Sequence, residues 1–394
     1  MGLSSNAGSS ARSSTRSTSS FSSQQDAYRT TATTPSAWVP STRDSERNGV
    51  WTLGGGMGVG GASHDRRSLS TTSAGSSFTA GHYQSRGREA EKTGGTTHAA
   101  GGGGGASLTR HALVRGAGVA EDANASYRSS MEDRFVICNP LASVGGVFLG
   151  VFDGHGGAGA ADFAAEVIQH NFTNELKRAR HRGSSLSPNM IDVFTNTYHE
   201  TDNQIAMAGV SRSAGCTAVC AYVQQVDSQG KRLLFVANAG DSRAVLCRDL
   251  NRSGSASNNI EVLTRDHKPS DPQESIRIEA AGGSVIRGRV MGMLAVSRAL
   301  GDHSLKDFVV STPEIRSTEL GAHDEGCLIL CCDGVSDVLS NEEVVSIIQS
   351  CYRHCMTREK QTPNDIATLL ARELVDRAKA EGSRDNITCL VTLL

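Results

Sequence analysis

Two regimes of hydrophobic patterning meet near residue 107. Before it, apolar side chains are sparse and aperiodic among Ser, Gly, Thr and Ala, with a poly-Gly run at Gly101–Gly105. Such a stretch cannot bury enough surface to offset its ordering entropy, so residues 1–107 are expected to form a disordered extension. Val50-Trp51-Thr52-Leu53 is its one apolar island. From residue 108 to 394 the pattern becomes periodic. Short apolar runs predict strands at Phe135–Cys138, Val147–Phe152, Cys216–Val223, Leu233–Asn238, Arg243–Cys247, Cys327–Cys332 and Asn386–Leu393. Helical spacing links Phe163, Val167, Ile168, Phe172 and Leu176, and again Met190, Phe194, Tyr198 and Ile205.

Local signals refine these elements. Asp271-Pro272 reads as an N-cap and first helical residue of a short helix to about Ala281. Ser340 with Glu343 makes a capping box, and Thr362-Pro363 opens the helix of Ile366, Leu369, Leu370 and Leu374. Ala239-Gly240-Asp241-Ser242 is expected to be a hairpin connection. Gly282–Asp302 is Gly-rich and irregular, and reads as a mobile loop. Strands dominate the centre and helices come in adjacent pairs, which excludes a doubly wound parallel sheet. The expected class is α+β, with two β-sheets face to face and helix pairs outside.

A net charge of −2 carries no nucleic-acid signature. No apolar run approaches the ~20 residues of a membrane span, and no apolar core of a signal peptide is visible. All 10 cysteines lie between Cys138 and Cys389, mostly in strand-like runs and without C-x-x-C spacing. Reduced, buried thiols in an intracellular protein, cytoplasmic or nuclear, are therefore expected. Cys351, His354 and Cys355 share one helical turn, read as packing rather than a metal pair. In the extension, a plain disordered tail competes with N-myristoylation at Gly2, a membrane tether, and with a transit peptide. Asn6 stands where a myristoylation signal usually has Ser or Thr, and no amphipathic face supports a transit peptide.

The chemistry lies at strand ends. Asp153 and Asp333 each follow an apolar run, Asp385 precedes one, Asp241 lies between two, and Glu132-Asp133 stands before another. One Asp at a strand end is ordinary turn chemistry. Several in one sheet system can meet at a rim, where they repel unless a cation neutralises them. Hard oxygen donors select Mg²⁺ or Mn²⁺ over zinc or copper. Carboxylates shared by two such ions describe a hydrolytic site in which water attacks a phosphoryl group in line. Arg128 is available for the phosphate and His155 for the leaving oxygen.

Residues 108–394 resemble the metal-dependent serine/threonine protein phosphatases, the protein phosphatase 2C-like family. The resemblance is carried in order by R-S-S-M-E-D (128–133), V-F-D-G-H-G-G (151–157), G-C-T-A-V (215–219) and A-N-A-G-D-S-R-A-V (237–245). R-D-H-K-P (265–269), A-G-G-S-V (281–285), L-A-V-S-R-A-L-G-D (294–302), D-G-V-S-D-V (333–338) and S-R-D-N-I-T (383–388) complete it. It implies a four-layer α-β-β-α sandwich with two central antiparallel sheets. Asp153 would then bridge two metal ions, Mn²⁺ or Mg²⁺. Asp333 and Asp385 would complete one, and Glu132 with the Gly154 carbonyl would serve the other. Arg128 would hold the substrate phosphate and His155 would be the general acid. Asp241 and Asp337, with Asp333, would form a third, weaker metal site. Asp133, Asn386 and Asp302 would support these groups from behind, and 282–302 would be a flap.

Cys216 stands where the family usually has Ser, and Ser336 where it usually has Trp. Glu121–Tyr127 also lacks the usual Gly and aromatic pattern. The implied activity is hydrolysis of phosphoserine and phosphothreonine in protein substrates by a monomer. One alternative is an inactive scaffold of the same fold, which typically loses a ligand carboxylate; none of the proposed ligands is missing here. Another is a two-metal nuclease or small-molecule phosphohydrolase, which shares the metal chemistry; the lack of a basic nucleic-acid groove argues against the nuclease version.

Overall fold

The structure is a computed structural model that describes residues 113–394, apart from 142–143, 183–187, 228–229, 253–258, 322–323 and 358–359. The extension 1–107, with Gly2 and the Val50–Leu53 island, lies outside the described residues. The chain runs β1 (Gly116–Asp122), β2 (Arg134–Cys138), β3 (Val147–Phe152), β4 (Gly154–His155), α1 (Gly159–Arg182) and α2 (Met190–Met207). β5 (Gly215–Cys216), β6 (Ala218–Gln225), β7 (Arg232–Ala239), β8 (Arg243–Cys247), β9 (Ile260–Val262) and α3 (Pro272–Ala280) follow. Next come β10 (Val285–Ile286), β11 (Arg289–Val290), β12 (Leu300–Gly301), β13 (Glu314–Leu320) and β14 (Cys327–Cys331). The described chain closes with α4 (Asp333–Ser336), α5 (Asn341–Cys355), α6 (Pro363–Ala380) and β15 (Ile387–Leu393).

Two five-stranded antiparallel sheets form the centre, ordered β1-β15-β14-β8-β9 and β13-β7-β6-β3-β2. The side-chain period of two explains why their strands read as unbroken apolar runs. In β3, Val147, Leu149 and Val151 face the opposite sheet and meet Leu328, Leu330 and Leu390. Phe148 and Phe152 face outward, against Ile168 and Phe172 of α1 and Phe194 and Tyr198 of α2. In β14, Leu328 and Leu330 point inward, while Cys327, Ile329 and Cys331 meet α5 and α6. Eight of the ten cysteines are buried, in keeping with the expectation of packed thiols. The result is the expected four-layer α-β-β-α sandwich.

Helix ends follow the expected chemistry. Capping boxes open α5 (Ser340 with Glu343) and α6 (Thr362 with Asp365), and Asp271 caps α3 ahead of Pro272. No helix among the described residues is long and apolar enough to cross a membrane.

Three expectations need correction. Ala239–Ser242 is not a hairpin: β7 belongs to one sheet and β8 to the other, so this turn carries the chain across the sandwich. The Cys216–Val223 strand is interrupted at Thr217, between β5 and β6: the register is kept, with the Thr217 amide donating to the opposite Asp153 carbonyl, but the Asp153 amide turns to the Thr217 hydroxyl instead of completing the backbone pair. Segment 282–302 is more ordered than its glycines suggest. It holds the β10–β11 hairpin and packs Val290, Val296 and Ala299 against Ile278, Leu305 and Val309. Strands β1 and β13 were not foreseen.

Candidate metal centre and active site

The acidic residues gather where strands of both sheets end. Asp153 follows β3, and Asp133 precedes β2 in the same sheet. Asp333 begins α4 just after β14, and Asp385 lies just before β15, both in the other sheet. Asp241 lies in the turn joining the two sheets. Together Asp153, Asp241, Asp333, Asp337 and Asp385 line a cavity of about 460 Å³, with Arg128, Gly154, His155, Thr217 and Lys268. Arg289 and Leu294–Val296 of the flap close its other side.

Backbone contacts fix Asp153. Its amide donates to Thr217 Oγ1 at 3.2 Å, and the Thr217 amide donates to the Asp153 carbonyl at 2.9 Å. Thr217 Oγ1 also bonds Ser242 Oγ at 2.7 Å, tying Asp153 to the Asp241 turn. From below that turn, the Gly240 amide donates to Nδ1 of fully buried His267 at 3.2 Å. Burial pushes this imidazole down to about 4, so it stays neutral and able to accept. His267 is thus a structural histidine.

In this cavity five aspartates outnumber the three cations Arg128, Lys268 and Arg289. Burial, then repulsion from Asp333, Asp133, Asp241 and Asp385, pushes Asp153 well above the carboxylate range. Asp333 is raised to about 7 by burial and by Asp241, Asp385 and Asp337. Asp133 and Asp241 are each raised to about 6, chiefly by burial. Buried carboxylates that repel one another are what a bound cation relieves. Asp133 adds a direct sign: its Oδ2 is buried and has no hydrogen-bond partner. Donor atoms of Asp133, Asp153 and Cys332 all lie within 4.8 Å of one another. An orphaned carboxylate oxygen beside the Asp153 carboxylate fits a hard divalent ion such as Mg²⁺ or Mn²⁺, whereas the Cys332 thiol is a soft donor that such an ion does not favour.

The remaining predicted residues are placed as follows. Arg128 reaches into the cavity and pairs with Asp385, while its Nε donates to the Arg384 carbonyl at 3.3 Å. Glu132 is held at the edge rather than in the cavity wall. Its carboxylate accepts from Ser130 Oγ at 2.9 Å and from the Gly157 amide at 3.1 Å. Asn386 supports it: Oδ1 accepts from the Glu132 amide at 2.9 Å, and Nδ2 donates to the Ala123 and Ser130 carbonyls. His155 Nε2 lies 2.8 Å from Asp302 Oδ2.

Three participants were not singled out in the sequence. Cys332 brings a buried thiol beside Asp133 and Asp153. Lys268 lies 3.3 Å from Asp337 and 3.8 Å from Asp241, so an ammonium occupies the place expected for a third ion. Arg289 adds a second cation on the flap side. Of the departures from the family pattern, Cys216 is fully buried, and Ser336 leaves a buried hydroxyl without a partner where Trp is usual.

A family model described as protein phosphatase 2C matches residues 117–387. The chain is 37% identical over 283 residues to protein phosphatase 2C homolog 1 of Schizosaccharomyces pombe, covering 71% of this chain and 73% of that protein. It is 39% identical over 293 residues to probable protein phosphatase 2C 59 of Arabidopsis thaliana, covering 71% and 82%. Among solved structures, a serine-threonine phosphatase 2C from Toxoplasma gondii shares the fold, with a TM-score of 0.56 and 23% identity. That match covers 70% of this chain and 94% of the other.

Proposed function

The chain belongs to the protein phosphatase 2C family and is a protein serine/threonine phosphatase; from that premise we propose that its carboxylate rim holds two divalent ions, Mn²⁺ or Mg²⁺, for hydrolysis of phosphoserine and phosphothreonine. Asp153, Asp333 and Asp385, with Glu132 and the Gly154 carbonyl, would hold these ions. When bound, such ions offset the carboxylate charge and lower the pKa of water for attack on phosphorus. The observation that carries this reading is the convergence of half-buried and buried, mutually repelling aspartates from both sheets on one cavity.

The chain's own groups supply the rest. Arg128, paired with Asp385 at the cavity wall, presents its guanidinium to the substrate phosphate. His155 gives a proton to the leaving serine or threonine oxygen. Asp133, with Asn386 behind Glu132, orients the ligands. A third ion at Asp241 and Asp337 would first have to displace the Lys268 ammonium. Phosphoproteins are the substrates, and the monomer is the acting form.

The test is turnover of a phosphothreonine peptide by the full chain. EDTA is expected to abolish it, and Mn²⁺ or Mg²⁺ to restore it. Undiminished turnover in EDTA would refute the metal reading.

A further inference from the structure

His155 and Asp302 are 147 residues apart in sequence, yet they meet at 2.8 Å. What joins them is a small separate sheet of three two-residue strands, ordered β12-β5-β4. Its register puts Gly215 of β5 opposite His155 on one side and opposite Gly301 on the other. Histidine and aspartate then project over the middle strand at the one position that has no side chain. A Cβ on Gly215 would lie 2.1 Å from Asp302 Oδ2 and 2.6 Å from His155 Nε2. Only glycine leaves room for the pair.

The aspartate is held from several directions. It is 3% exposed and has a left-handed backbone (φ 51°). Its amide donates to the Ala214 carbonyl, and two residues on the Ser304 amide donates to the Arg212 carbonyl, both at 2.9 Å. The preceding amide, Gly301, donates at 2.7 Å to the buried carboxylate of Asp202 on α2. Lys306 neutralises Asp202 at 2.9 Å and also donates to the Ala299 carbonyl. A strained, buried carboxylate clamped so firmly and aimed at a single imidazole does more than end a flap.

We infer that Asp302 is the positioning residue of the reaction: it accepts the Nε2–H of His155 and thereby presents Nδ1 to the leaving oxygen. This rests on the proposed proton donation by His155. As water forms the new P–O bond, the bond to the serine or threonine oxygen breaks and its electron pair stays on that oxygen. The oxygen takes the proton from Nδ1, and the ring remains as the Nε2–H form on Asp302. Solvent receives the water's proton and returns one to Nδ1. The Asp202–Lys306 clamp acts one step further out, by holding the turn that carries Asp302.

The experiment compares two substrates on the full chain with Mn²⁺. Threonine alkoxide needs a proton to leave, whereas the nitrophenolate of p-nitrophenyl phosphate does not. His155→Ala should lose more kcat on the phosphothreonine peptide than on p-nitrophenyl phosphate, by about tenfold or more. Asp302→Asn should show the same bias, and the double variant should be no worse than His155→Ala alone. An equal loss on both substrates for Asp302→Asn, with the bias kept in His155→Ala, overturns the positioning role alone. Absence of the bias in His155→Ala overturns proton donation, and positioning with it.

If Asp302→Asn fails to fold, the wild-type chain still decides. With Mg²⁺ bound, nitrogen NMR of neutral His155 should find its proton on Nε2. A proton on Nδ1 with Nε2 bare overturns the inference.

Discussion

Replacing Glu274 by Gln removes a charge and almost no volume from the base of the flap. The Glu274 carboxylate, on α3, is 1% exposed. It accepts from Arg298 Nη2 at 2.6 Å, Arg277 Nη2 at 2.9 Å and Ser297 Oγ at 2.9 Å. Burial alone would raise its pKa, but these partners hold it at about 2, against the ordinary 4.5. That difference corresponds to about 3 kcal/mol of folding free energy at neutral pH. For a domain of this size it is a fall in melting temperature of about 6–12 °C. The sign of the pH dependence follows from a depressed carboxylate. The stabilisation is complete well above pH 4.5 and is lost as pH falls towards 2, leaving about 1 kcal/mol near pH 3. Thermal or urea unfolding of both proteins in EDTA, at pH 7 and pH 3, measures this. We expect the gap between them to narrow by about 2 kcal/mol on acidification. A gap that is the same at both pH values would refute the reasoning, as would a loss of less than about 1 kcal/mol at pH 7.

Asp153→Asn relieves repulsion in the metal-free chain, so in EDTA at pH 7 it should melt higher by about 3 °C or more, while with Mn²⁺ added it should lack the turnover of the wild type; a lower melting point counts against the electrostatic account. Gly118→Ala would put a Cβ 2.3 Å from the Thr368 backbone nitrogen, where β1 lies against α6. The expected cost is about 1–3 kcal/mol in urea unfolding, and a wild-type midpoint would show that the two elements can part without loss.

The layered architecture was legible because both faces of the central strands are covered. V-F-L-G-V-F reads as a short strand buried on two sides, and its alternate residues do enter two different cores. β13 was missed for the opposite reason. As an edge strand, E-I-R-S-T-E-L faces water along most of its length and carries no apolar rhythm. β1 hides behind its glycines, which are small because α6 presses on them. The error at Ala239–Ser242 has another source. A Gly-Asp turn between two strands looks the same whether they pair or part, and only the packing of Ala244 and Leu246 on the far sheet decides.

Asp153, Asp333 and Asp385 were visible as strand-end carboxylates. Lys268 and Cys332 were not, since a lone lysine in a loop and a cysteine in an apolar run have no local signature. The His155–Asp302 contact depends on Gly215, whose importance lies in the atoms that it lacks.

The joint between the two sheets has a mechanical meaning. Their greasy interior resists separation everywhere except at one rim, where negative groups rooted in opposite plates face each other. Without counter-charge that rim is a wedge, prying at the seam with a force that grows as its protons leave. Positive charge arriving there turns the wedge into a rivet. The sandwich should therefore shear and open first at its catalytic edge, and the surroundings that permit chemistry should also be those that hold the plates together.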